Sequence, residues 1–372
     1  MTGATNDKEP MGHTCAVIMA GGVGTRFWPR SREKNPKHLL QIIGKGTMIQ
    51  TTVKRVESDV RPGEVFVVTN RLQKPALTKQ LPQVPEENVI VEPVGRNTAP
   101  CIGLAALHVR RLDPEAVMIV LPADHLISDE EEFRRVLAVA IDTARESGSL
   151  LTIGIKPTHP ETGYGYIQTY NEEGEHNPYF SRGVLRVKTF AEKPNRQTAE
   201  KFIASGDFFW NSGMFVWKVD TILSEIERCL PELHAELMKI DKTIGTPQYQ
   251  STLEHVYGLI RGISVDYGVM EKSERVYVIP GNFGWSDIGS WDEVCRVSGK
   301  DDSGNTITGK VIQKDTKNTF IYSPDKVVAT IGVEDLIVVN TDDALLICRK
   351  NRSQEVKEIS DYLRRKQMNE YL

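Results

Sequence analysis

The chain has 372 residues, of which 40% are hydrophobic and 26% are charged, and its formal net charge is −4. This length exceeds one typical domain and the composition is that of a globular protein with a real core, so we expect two domains. The weakly acidic balance argues against nucleic acid or an anionic membrane as a partner, which means that any cationic site must be local.

The cysteines and the N-terminus indicate the compartment. Five cysteines are scattered along the chain, their number is odd, and no CxxC pair occurs. This usage argues against a disulfide framework or a zinc cluster and is typical of the reducing cytosol. Residues 1–13 lack the apolar core of a signal peptide, and no stretch approaches the roughly 20 apolar residues of a membrane helix. We therefore expect a soluble cytoplasmic protein without a membrane partner.

The first half of the chain alternates between short apolar segments rich in β-branched residues and segments with helical periodicity. The predicted strands are residues 15–20, 64–69, 88–93, 116–124 and 150–155. The predicted helices are Met48 to Glu57, Ala99 to Arg111 and Glu131 to Glu146. Apolar strands that alternate with helices predict an α/β fold with a parallel sheet covered on both faces, and ligands bind such sheets beyond the carboxyl ends of the strands.

Beyond residue 155 the alternation becomes irregular. Strands are predicted over residues 163–170 and 184–194, with a polar hairpin insertion over 171–183 between them. A short helix (197–205), a strand (209–219), helical segments to about residue 271 and a last strand (276–281) complete this part.

The composition turns to Gly, Asp and Ser over residues 298–306, and we place a domain boundary there. This gives a first domain over residues 13–299 and a C-terminal domain over residues 303–372. The C-terminal domain holds short β-rich segments, which suit a small β-solenoid or sandwich, and a charged helix over about 353–371. It shows no cluster of cations and acids, so we expect it to serve packing and assembly.

The basic loop, residues 20–39, follows the first predicted strand and holds three glycines and five Lys or Arg residues. It lacks the GxxxxGK[ST] pattern of a Walker A loop, and Phe27 stands where a dinucleotide fingerprint needs its third glycine. Two interpretations stay open. The loop is either a phosphate cradle of glycine N–H groups with Arg26 and Lys37, or a mobile, solvated basic loop.

Two aspartates are candidate metal ligands. Asp124 ends a predicted strand, and Asp287 lies in the stretch "GWSDIGSW". Mg²⁺ prefers oxygen ligands and takes one or two carboxylates together with substrate phosphates. The alternative is that both aspartates cap helices. His125 is expected to be a hydrogen-bonding neighbour, because a hard cation disfavours imidazole.

Two further stretches carry polar residues at predicted strand ends. In "EPVGRNTAP", Asn97 and Thr98 either contact a ligand or cap the following helix. In "AEKP", Lys193 either meets a phosphate as a point charge or forms a surface pair with Glu192. Helix capping accounts for Ser264 and Asp266 nearly as well as contact with a sugar does, so we leave both residues out of the site.

Eight stretches together resemble a known family. The string "AGGVGTRFWPRSREKNPKHL" resembles the signature of the sugar-nucleotide pyrophosphorylases, and its Phe-Trp-Pro-x-Ser-Arg part resembles their mannose-1-phosphate guanylyltransferase branch. The other stretches follow in the family's order: "EPVGRNTAP", "LPADH", "GYGYI", "FAEKP", "WNSGMF", "SVDYGVME" and "WSDIGSW". The resemblance covers roughly residues 14 to 350, and the ordered set is highly specific although no single piece is.

The resemblance implies a Rossmann-like, mostly parallel sheet of the nucleotide-diphospho-sugar transferase type, followed by a small β-helix-like C-terminal domain. It implies transfer of GMP from GTP to α-D-mannose 1-phosphate, with GDP-mannose and pyrophosphate as products and Mg²⁺ or another divalent cation as cofactor. The family commonly joins subunits through the β-helical extension, so we expect a homodimer. The bifunctional members carry a further isomerase domain after this point, so the end of the chain at Leu372 implies a monofunctional transferase.

The resemblance also implies roles for individual residues. The expected catalytic residues are Arg26, Lys37, Asp124, Lys193 and Asp287, with Asp124 and Asp287 as metal ligands. Nucleotide contacts are expected from Gly21, Gly22, Gly24, Thr25, Arg26, Lys37, Glu92, Arg96, Asn97 and Thr98. Sugar-phosphate contacts are expected from Gly163, Tyr164, Glu192, Lys193 and Asn211. Three other cations of the basic loop are expected to stay solvated: Arg30, Arg32 and Lys34.

Two other functional classes were weighed. An NAD-dependent dehydrogenase is excluded by the missing third glycine of the fingerprint. A catalytically silent subunit that senses sugar nucleotides would keep the pocket but could lose the cations or the metal-binding acids. All five expected catalytic residues are present, which favours a working enzyme.

Overall fold

The computed structural model describes residues 12–170 and 177–372. The polar N-terminal stretch lies almost entirely outside these residues, as does the first half of the predicted hairpin insertion at 171–183. The described second half of that insertion contains a short 3-10 turn, Phe180–Arg182.

The described strands and helices are numbered in chain order. The strands are β1 (Thr14–Met19), β2 (Val65–Asn70), β3 (Val89–Glu92), β4 (Val117–Pro122), β5 (Leu126–Ile127), β6 (Leu150–Ile155), β7 (Gly165–Thr169), β8 (Leu185–Glu192), β9 (Phe208–Lys218), β10 (Val276–Gly281), β11 (Trp285–Ser286), β12 (Thr306–Lys314), β13 (Phe320–Ile331), β14 (Leu336–Asn340) and β15 (Leu345–Arg349). The helices are α1 (Met48–Val56), α2 (Lys74–Gln80), α3 (Thr98–Leu112), α4 (Glu130–Ser147), α5 (Arg196–Ser205), α6 (Val219–Cys229), α7 (Pro231–Asp241), α8 (Tyr249–Leu259), α9 (Trp291–Val297) and α10 (Val356–Arg365).

The main sheet has the strand order β3-β2-β1-β4-β9-β6-β10-β8-β7 in the described part of the chain. Strands β3, β2, β1 and β4 are parallel, and β6 and β10 are parallel to each other. Strand β9 runs antiparallel between β4 and β6, and β7 and β8 pair antiparallel at the far edge. The chain leaves β1 in one direction for β2 and β3 and returns to its other side at β4, which is the reversal where ligands bind in such sheets.

Both faces of the sheet are covered, as the sequence predicted. Successive residues of β1 point to opposite faces, so that Ile18 belongs to a first apolar core with residues of α1 and α4, while Val17 belongs to a second with residues of α3 and α6. Both side chains are fully buried. The predicted helices of the first half agree with α1, α3 and α4 to within about two residues at each end. Helix α2 was not predicted.

The C-terminal domain is a four-stranded sheet in the order β12-β13-β14-β15, with the first three strands parallel and the last antiparallel. Two of the β-rich segments of the sequence, residues 318–323 and 326–332, contribute to one continuous strand, β13, whose pairing with β12 shifts in register between Gly309 and Val311. The terminal helix α10 is shorter than predicted and is preceded by a 3-10 turn, Ser353–Glu355.

A third apolar core joins the two domains. Phe27 of the basic loop and Trp291 of α9 lie with their ring centroids 5.1 Å apart and pack with Phe320, Ile337 and Val356. None of the helices in residues 12–170 and 177–372 has the length and apolar character that a membrane crossing requires.

The expectation that the additional cations of the basic loop stay solvated is wrong for two of them. The Arg30 guanidinium lies 4.0 Å from the ring centroid of Tyr322 in the C-terminal domain. Arg32 donates to the backbone carbonyl of Tyr371 and pairs with Asp343 at 2.8 Å. Lys34 is exposed, as expected. The C-terminal domain thus supplies the partners that no local pattern could reveal.

Candidate functional site

A cleft of about 830 Å³ opens along the carboxyl ends of the parallel strands. A second cavity of about 310 Å³ lies beside it, and the two share His125 and Asp287 in their walls. The larger cleft is lined by the predicted residues Gly21, Gly22, Glu92, Arg96, Asn97, Thr98, Gly163, Tyr164, Glu192, Lys193, Asn211 and Asp287. The smaller cavity is lined by Gly24, Thr25, Arg26, Lys37, Asp124 and Asp287. The structure therefore brings every sequence-predicted site residue to one of two adjoining cavities.

Two strand pairings bring Asp124 and Asp287 to the same place. Strand β4 runs parallel to β1 with Pro122 opposite Met19, so the segment that contains Asp124 leaves the sheet beside the basic loop. Strand β5 then pairs antiparallel with β11, with Leu126 opposite Ser286. Because Asp287 directly follows β11, this short pairing returns it to the neighbourhood of Asp124.

Helix capping does not account for either aspartate. The N-cap of α4 is Asp129, whose side chain accepts from the backbone N–H of Glu132, and the N-cap position of α9 is Ser290. The capping alternative is therefore wrong for Asp124 and Asp287, whose side chains are left for the cavities.

Lys37 connects the two acidic segments. Its ammonium lies 2.9 Å from the Oδ2 atom of Asp124 and donates to the backbone carbonyl of Asp287 at 2.6 Å. Burial opposes the ionisation of Asp124, but its neighbours, led by the charge of Lys37, outweigh this effect and lower the pKa of Asp124 to about 2. A Cβ atom at Gly24 would lie 2.5 Å from the Cβ atom of Lys37, and Gly24 has a φ of 71°. The glycine thus leaves room for the lysine.

Tyr164 positions the second aspartate. Its phenol donates to the Oδ1 atom of Asp287 at 2.7 Å, and its ring packs edge-to-face with those of Trp210 and Trp285. Burial, followed by the charge of Asp287, raises the pKa of Tyr164. The phenol therefore stays protonated and keeps donating, which fixes the orientation of the carboxylate.

His125 is a hydrogen-bonding neighbour, as predicted. The indole N–H of Trp285 donates to its Nδ1 atom at 3.2 Å. Burial lowers the pKa of His125 despite the carboxylates of Asp124 and Asp287, so the ring is neutral near pH 7. Trp210 is buried.

Glu92 ends β3 as a buried carboxyl in the wall of the larger cleft, with only 6% of its surface exposed. Burial raises its pKa to about 7, although the phenol of Tyr257 donates to its Oε1 atom at 3.1 Å. Its Oε2 atom lies on the side of Gly21. Sequence reasoning did not identify Tyr257, because no pattern links α8 to β3.

The loop after β3 uses most of its polar groups to hold itself in place. The Oδ1 atom of Asn97 accepts from the N–H of Thr98 at 2.8 Å at the start of α3, so the capping alternative is confirmed for Asn97. Thr98 accepts from the N–H of Val265, and Arg96 donates to the carbonyl of Tyr257, both at 2.8 Å. These residues line the cleft while shaping its wall.

The side of the cleft formed by β7, β8 and β9 carries the residues predicted to contact the sugar phosphate. Lys193 has a φ of 46° and its ammonium lies 2.8 Å from the Oε1 atom of Glu192. This contact raises the pKa of Lys193. The Glu–Lys pair weighed as an alternative is therefore present, but it lies in the cleft wall rather than on a remote surface.

Asp266 is a cleft residue that sequence reasoning missed. Its Oδ1 atom accepts from the amide of Asn211 at 2.6 Å, and burial raises its pKa. Capping in this segment comes from Ser264, whose hydroxyl accepts from the N–H of Tyr267 at 3.2 Å. The matched stretch "SVDYGVME" was a signal that could have identified the aspartate.

Comparisons with known proteins agree with this architecture. The nucleotidyl transferase family matches residues 15–304, and the MannoseP isomerase/GMP-like beta-helix domain matches residues 309–363. A mannose-1-phosphate guanylyltransferase of Klebsiella pneumoniae is 41% identical over 95% of this chain and 75% of its own length. One from Escherichia coli is 40% identical with the same coverage. The chain thus spans about three quarters of the length of these relatives.

Among solved structures, a mannose-1-phosphate geranyltransferase from Thermus thermophilus is similar with a TM-score of 0.84 and 34% identity, over 94% of this chain and 99% of that one. The fold, the order of the two domains and the similar proteins all indicate the same family. The chain belongs to the nucleotidyl transferase family and, within it, to the mannose-1-phosphate guanylyltransferases.

Proposed function

We propose that the protein transfers GMP from GTP to α-D-mannose 1-phosphate, giving GDP-mannose and pyrophosphate. The observation that carries the proposal is the pair of adjoining cavities that meet at Asp287, with Asp124 and Lys37 beside it. One cavity offers a buried carboxyl for a base and polar groups for a sugar. The other offers cations for phosphates.

Glu92 is the residue that we assign to guanine. The base presents two neighbouring donors, its N1–H and its 2-amino group, and a carboxylate is an acceptor-only group that can take both. Glu92 is buried in the cleft with one oxygen held by Tyr257 and the other on the side of Gly21. Adenine offers no such pair of donors, so the arrangement favours GTP over ATP.

The triphosphate belongs in the smaller cavity. Gly24 and Thr25 bring backbone to the wall, and Arg26 and Lys37 bring positive charge. Glycine N–H groups and cations are the groups that bind phosphate chains. Gly21 and Gly22 line the larger cleft, and we assign the ribose and the α-phosphate to the junction of the two cavities.

Mannose 1-phosphate belongs on the side of the cleft formed by β7, β8 and β9. Glu192 and Asn211 offer acceptors and donors for sugar hydroxyls, and Asp266 adds a further acceptor. Lys193 is the cation of this side and is assigned to the sugar phosphate. Gly163 keeps the wall open next to Tyr164, whose phenol is committed to Asp287 rather than to the sugar.

The donor set fits Mg²⁺. Asp124 and Asp287 supply hard carboxylate oxygens, and groups of three or more metal-binding side chains are absent from the described residues. Mg²⁺ usually takes only one or two carboxylates and completes its shell with phosphates and water. A bound ion would supply charge to the phosphates between the two substrates. Because Lys37 already neutralises Asp124, we expect tight metal binding only together with the nucleotide.

The reaction needs positioning and charge rather than a general base. A phosphate monoester loses its second proton near pH 6, so the attacking oxygen is already anionic at neutral pH. That oxygen forms a bond to the α-phosphorus of GTP, and the bond from this phosphorus to the β-phosphate oxygen breaks in line. Lys193 holds the nucleophile, while Arg26 and Lys37 offset the charge that develops on the leaving group.

We also propose a homodimer that works in the cytoplasm. The C-terminal sheet leaves several apolar side chains more than half exposed: Ile312, Val327, Ile331, Leu345 and Ile347. A second copy that covers them would remove this apolar area from water. All five cysteines are unpaired, which suits a reducing compartment. Light scattering at micromolar concentration tests the dimer, and a monomeric mass would overturn it.

The test of the activity is pyrophosphate release with each of four nucleoside triphosphates and several sugar 1-phosphates in Mg²⁺. We expect turnover with GTP and mannose 1-phosphate, and its loss after chelation. Asp287→Asn should lose most turnover, whereas the matched control Asp302→Asn removes an exposed acid outside both cavities and should not. Turnover that does not need GTP, or full activity of Asp287→Asn, would contradict the proposal.

A further inference from the structure

The C-terminal domain contributes a cation to the smaller cavity. Lys357 is the second residue of α10 and lines this cavity together with Arg26, Lys37, Asp124 and Asp287. Its side chain is exposed, and it takes part in no ion pair or side-chain hydrogen bond within the described residues. Lys357 lies 320 positions after Lys37 in the chain. No local sequence pattern could therefore indicate that the two lysines line the same cavity.

The position of Lys357 is fixed by contacts on both sides of it. Ser360, one turn further along α10, donates to the backbone carbonyl of Thr25 at 3.2 Å. Before the helix, the carboxylate of Asp292 accepts from the N–H of Asn351 at 2.8 Å and from Ser353. These contacts hold the first turn of α10 against the glycine part of the basic loop.

The charges in the cavity show which ligand the lysine would meet. Three cations line the cavity, and the charge of Lys37 is partly offset by Asp124, so Arg26 and Lys357 add most of the positive charge that an incoming anion would meet. Lys193, assigned to the sugar phosphate, lines only the larger cleft, and Lys357 lines only the smaller cavity. The ligand of Lys357 is therefore the phosphate chain that binds beside Gly24 and Arg26.

We propose that Lys357 binds the β- and γ-phosphates of GTP and the pyrophosphate that leaves, so that the C-terminal domain completes the phosphate site. The inference rests on the proposed function. As the new bond to the α-phosphorus forms, the electron pair of the broken bond stays on the β-phosphate oxygen, and negative charge grows on the leaving group. An ammonium on this side stabilises that charge as a point cation and needs no proton transfer.

The experiment compares three variants of the full-length protein: Lys357→Ala, Lys357→Arg and Arg365→Ala. Arg365→Ala is the matched control, since it removes one exposed cation from the same helix outside both cavities. The reverse reaction, in which pyrophosphate cleaves GDP-mannose, gives the KM of each substrate. Calorimetric titration with inorganic pyrophosphate and Mg²⁺ gives its affinity without turnover.

We expect Lys357→Ala to raise the KM and the Kd for pyrophosphate about fivefold or more, with the KM of GDP-mannose nearly unchanged. Lys357→Arg should restore most of the affinity, and Arg365→Ala should behave as the wild type. An unchanged Kd in Lys357→Ala, or an equal rise in Arg365→Ala, would overturn the inference. Absence of any transfer activity in the wild type would instead refute the proposed function, and the titration would still decide the role of Lys357.

Discussion

Glu92→Gln is the substitution that best tests the base pocket. In the folded protein burial raises the pKa of Glu92 to about 7, whereas an exposed glutamate has a pKa of 4.5. The carboxyl is 6% exposed and accepts a hydrogen bond from the phenol of Tyr257. Glutamine has nearly the same shape but does not titrate. The variant therefore isolates the effect of ionisation from the effect of packing.

The ionisation of Glu92 makes the free energy of unfolding depend on pH, and the sign and size of this dependence follow from the two pKa values. Between pH 4.5 and 7 the unfolded chain releases the proton of Glu92 while the folded chain retains it, so the free energy of unfolding decreases as the pH rises. A rise in pKa from 4.5 to about 7 corresponds to roughly 3 kcal/mol, most of which is lost by pH 7. Below pH 4.5 the contribution is fully present, and above pH 7 it no longer changes.

Urea denaturation of wild type and Glu92→Gln at pH values from about 5 to 8 measures this difference, because all other groups titrate alike in both proteins. The stability of the variant relative to wild type should increase by about 2–3 kcal/mol across the range. Glu87→Gln, which removes an exposed carboxylate, is the control and should show no such trend. A difference between Glu92→Gln and wild type that stays constant with pH would refute the reasoning.

Glu92→Gln also tests whether Glu92 contributes to the affinity for GTP. If the ionised carboxylate accepts from both donors of guanine, glutamine presents an NH₂ group to one of them, and the affinity for GTP should fall about tenfold or more. The affinity of wild type for GTP should increase as the pH rises through about 7, and this increase should be absent in Glu92→Gln. An equal pH profile in both proteins would assign Glu92 to structure alone.

Three further substitutions test the phosphate and sugar sides. Asp124→Asn should lower turnover at least about 100-fold while the protein keeps a cooperative unfolding transition, and full activity in Mg²⁺ would contradict this. Lys193→Ala should raise the KM of mannose 1-phosphate about tenfold with little change for GTP, and equal changes for both substrates would contradict the assignment. Gly24→Ala should cost about 1–2 kcal/mol through its φ of 71° and also displace Lys37, thereby reducing turnover. Gly44→Ala, with a φ of 72° and open space around it, should show the strain without the loss of turnover, and equal activity in the two variants would refute the steric argument.

The sheet of the first half could be predicted because its signals are local. Each strand from β1 to β4 is a short run of apolar residues that are buried on both faces, and the predicted helices α1, α3 and α4 each carry their own periodicity. The antiparallel place of β9 between β4 and β6 could not be predicted, because it depends on pairings across about 60 to 100 residues. The eleven residues of β9 predict an apolar strand, but they do not indicate whether it runs parallel or antiparallel to its neighbours.

The ordered motifs identified residues that line the two cavities, but they did not predict the contacts among these residues. Nothing local indicates that the Lys37 ammonium would contact both acidic segments, or that the Tyr164 phenol would bind Asp287 instead of a sugar. Sequence reasoning leaves Asp266 out of the predicted site, because a polar residue at the start of a helical turn resembles a helix cap. Its hydrogen bond with Asn211, which places it in the cleft wall, cannot be seen in the sequence. Such contacts are fixed by the arrangement of whole strands, so single-residue patterns carry little information about them.

The coupling between the two domains follows from how the basic loop is held. A glycine-rich loop that carries five cations is mobile by itself, since its charges repel one another and its glycines add backbone freedom. In this protein Phe27 is buried against Trp291, and the indole N–H of Trp28 donates to the carbonyl of Tyr371 near the C-terminus at 3.0 Å. These contacts come from elements beyond the sheet that carries the loop. The conformation of the basic loop is therefore a property of both domains, and a β-rich domain without catalytic motifs of its own helps to hold the loop that we propose as the phosphate cradle.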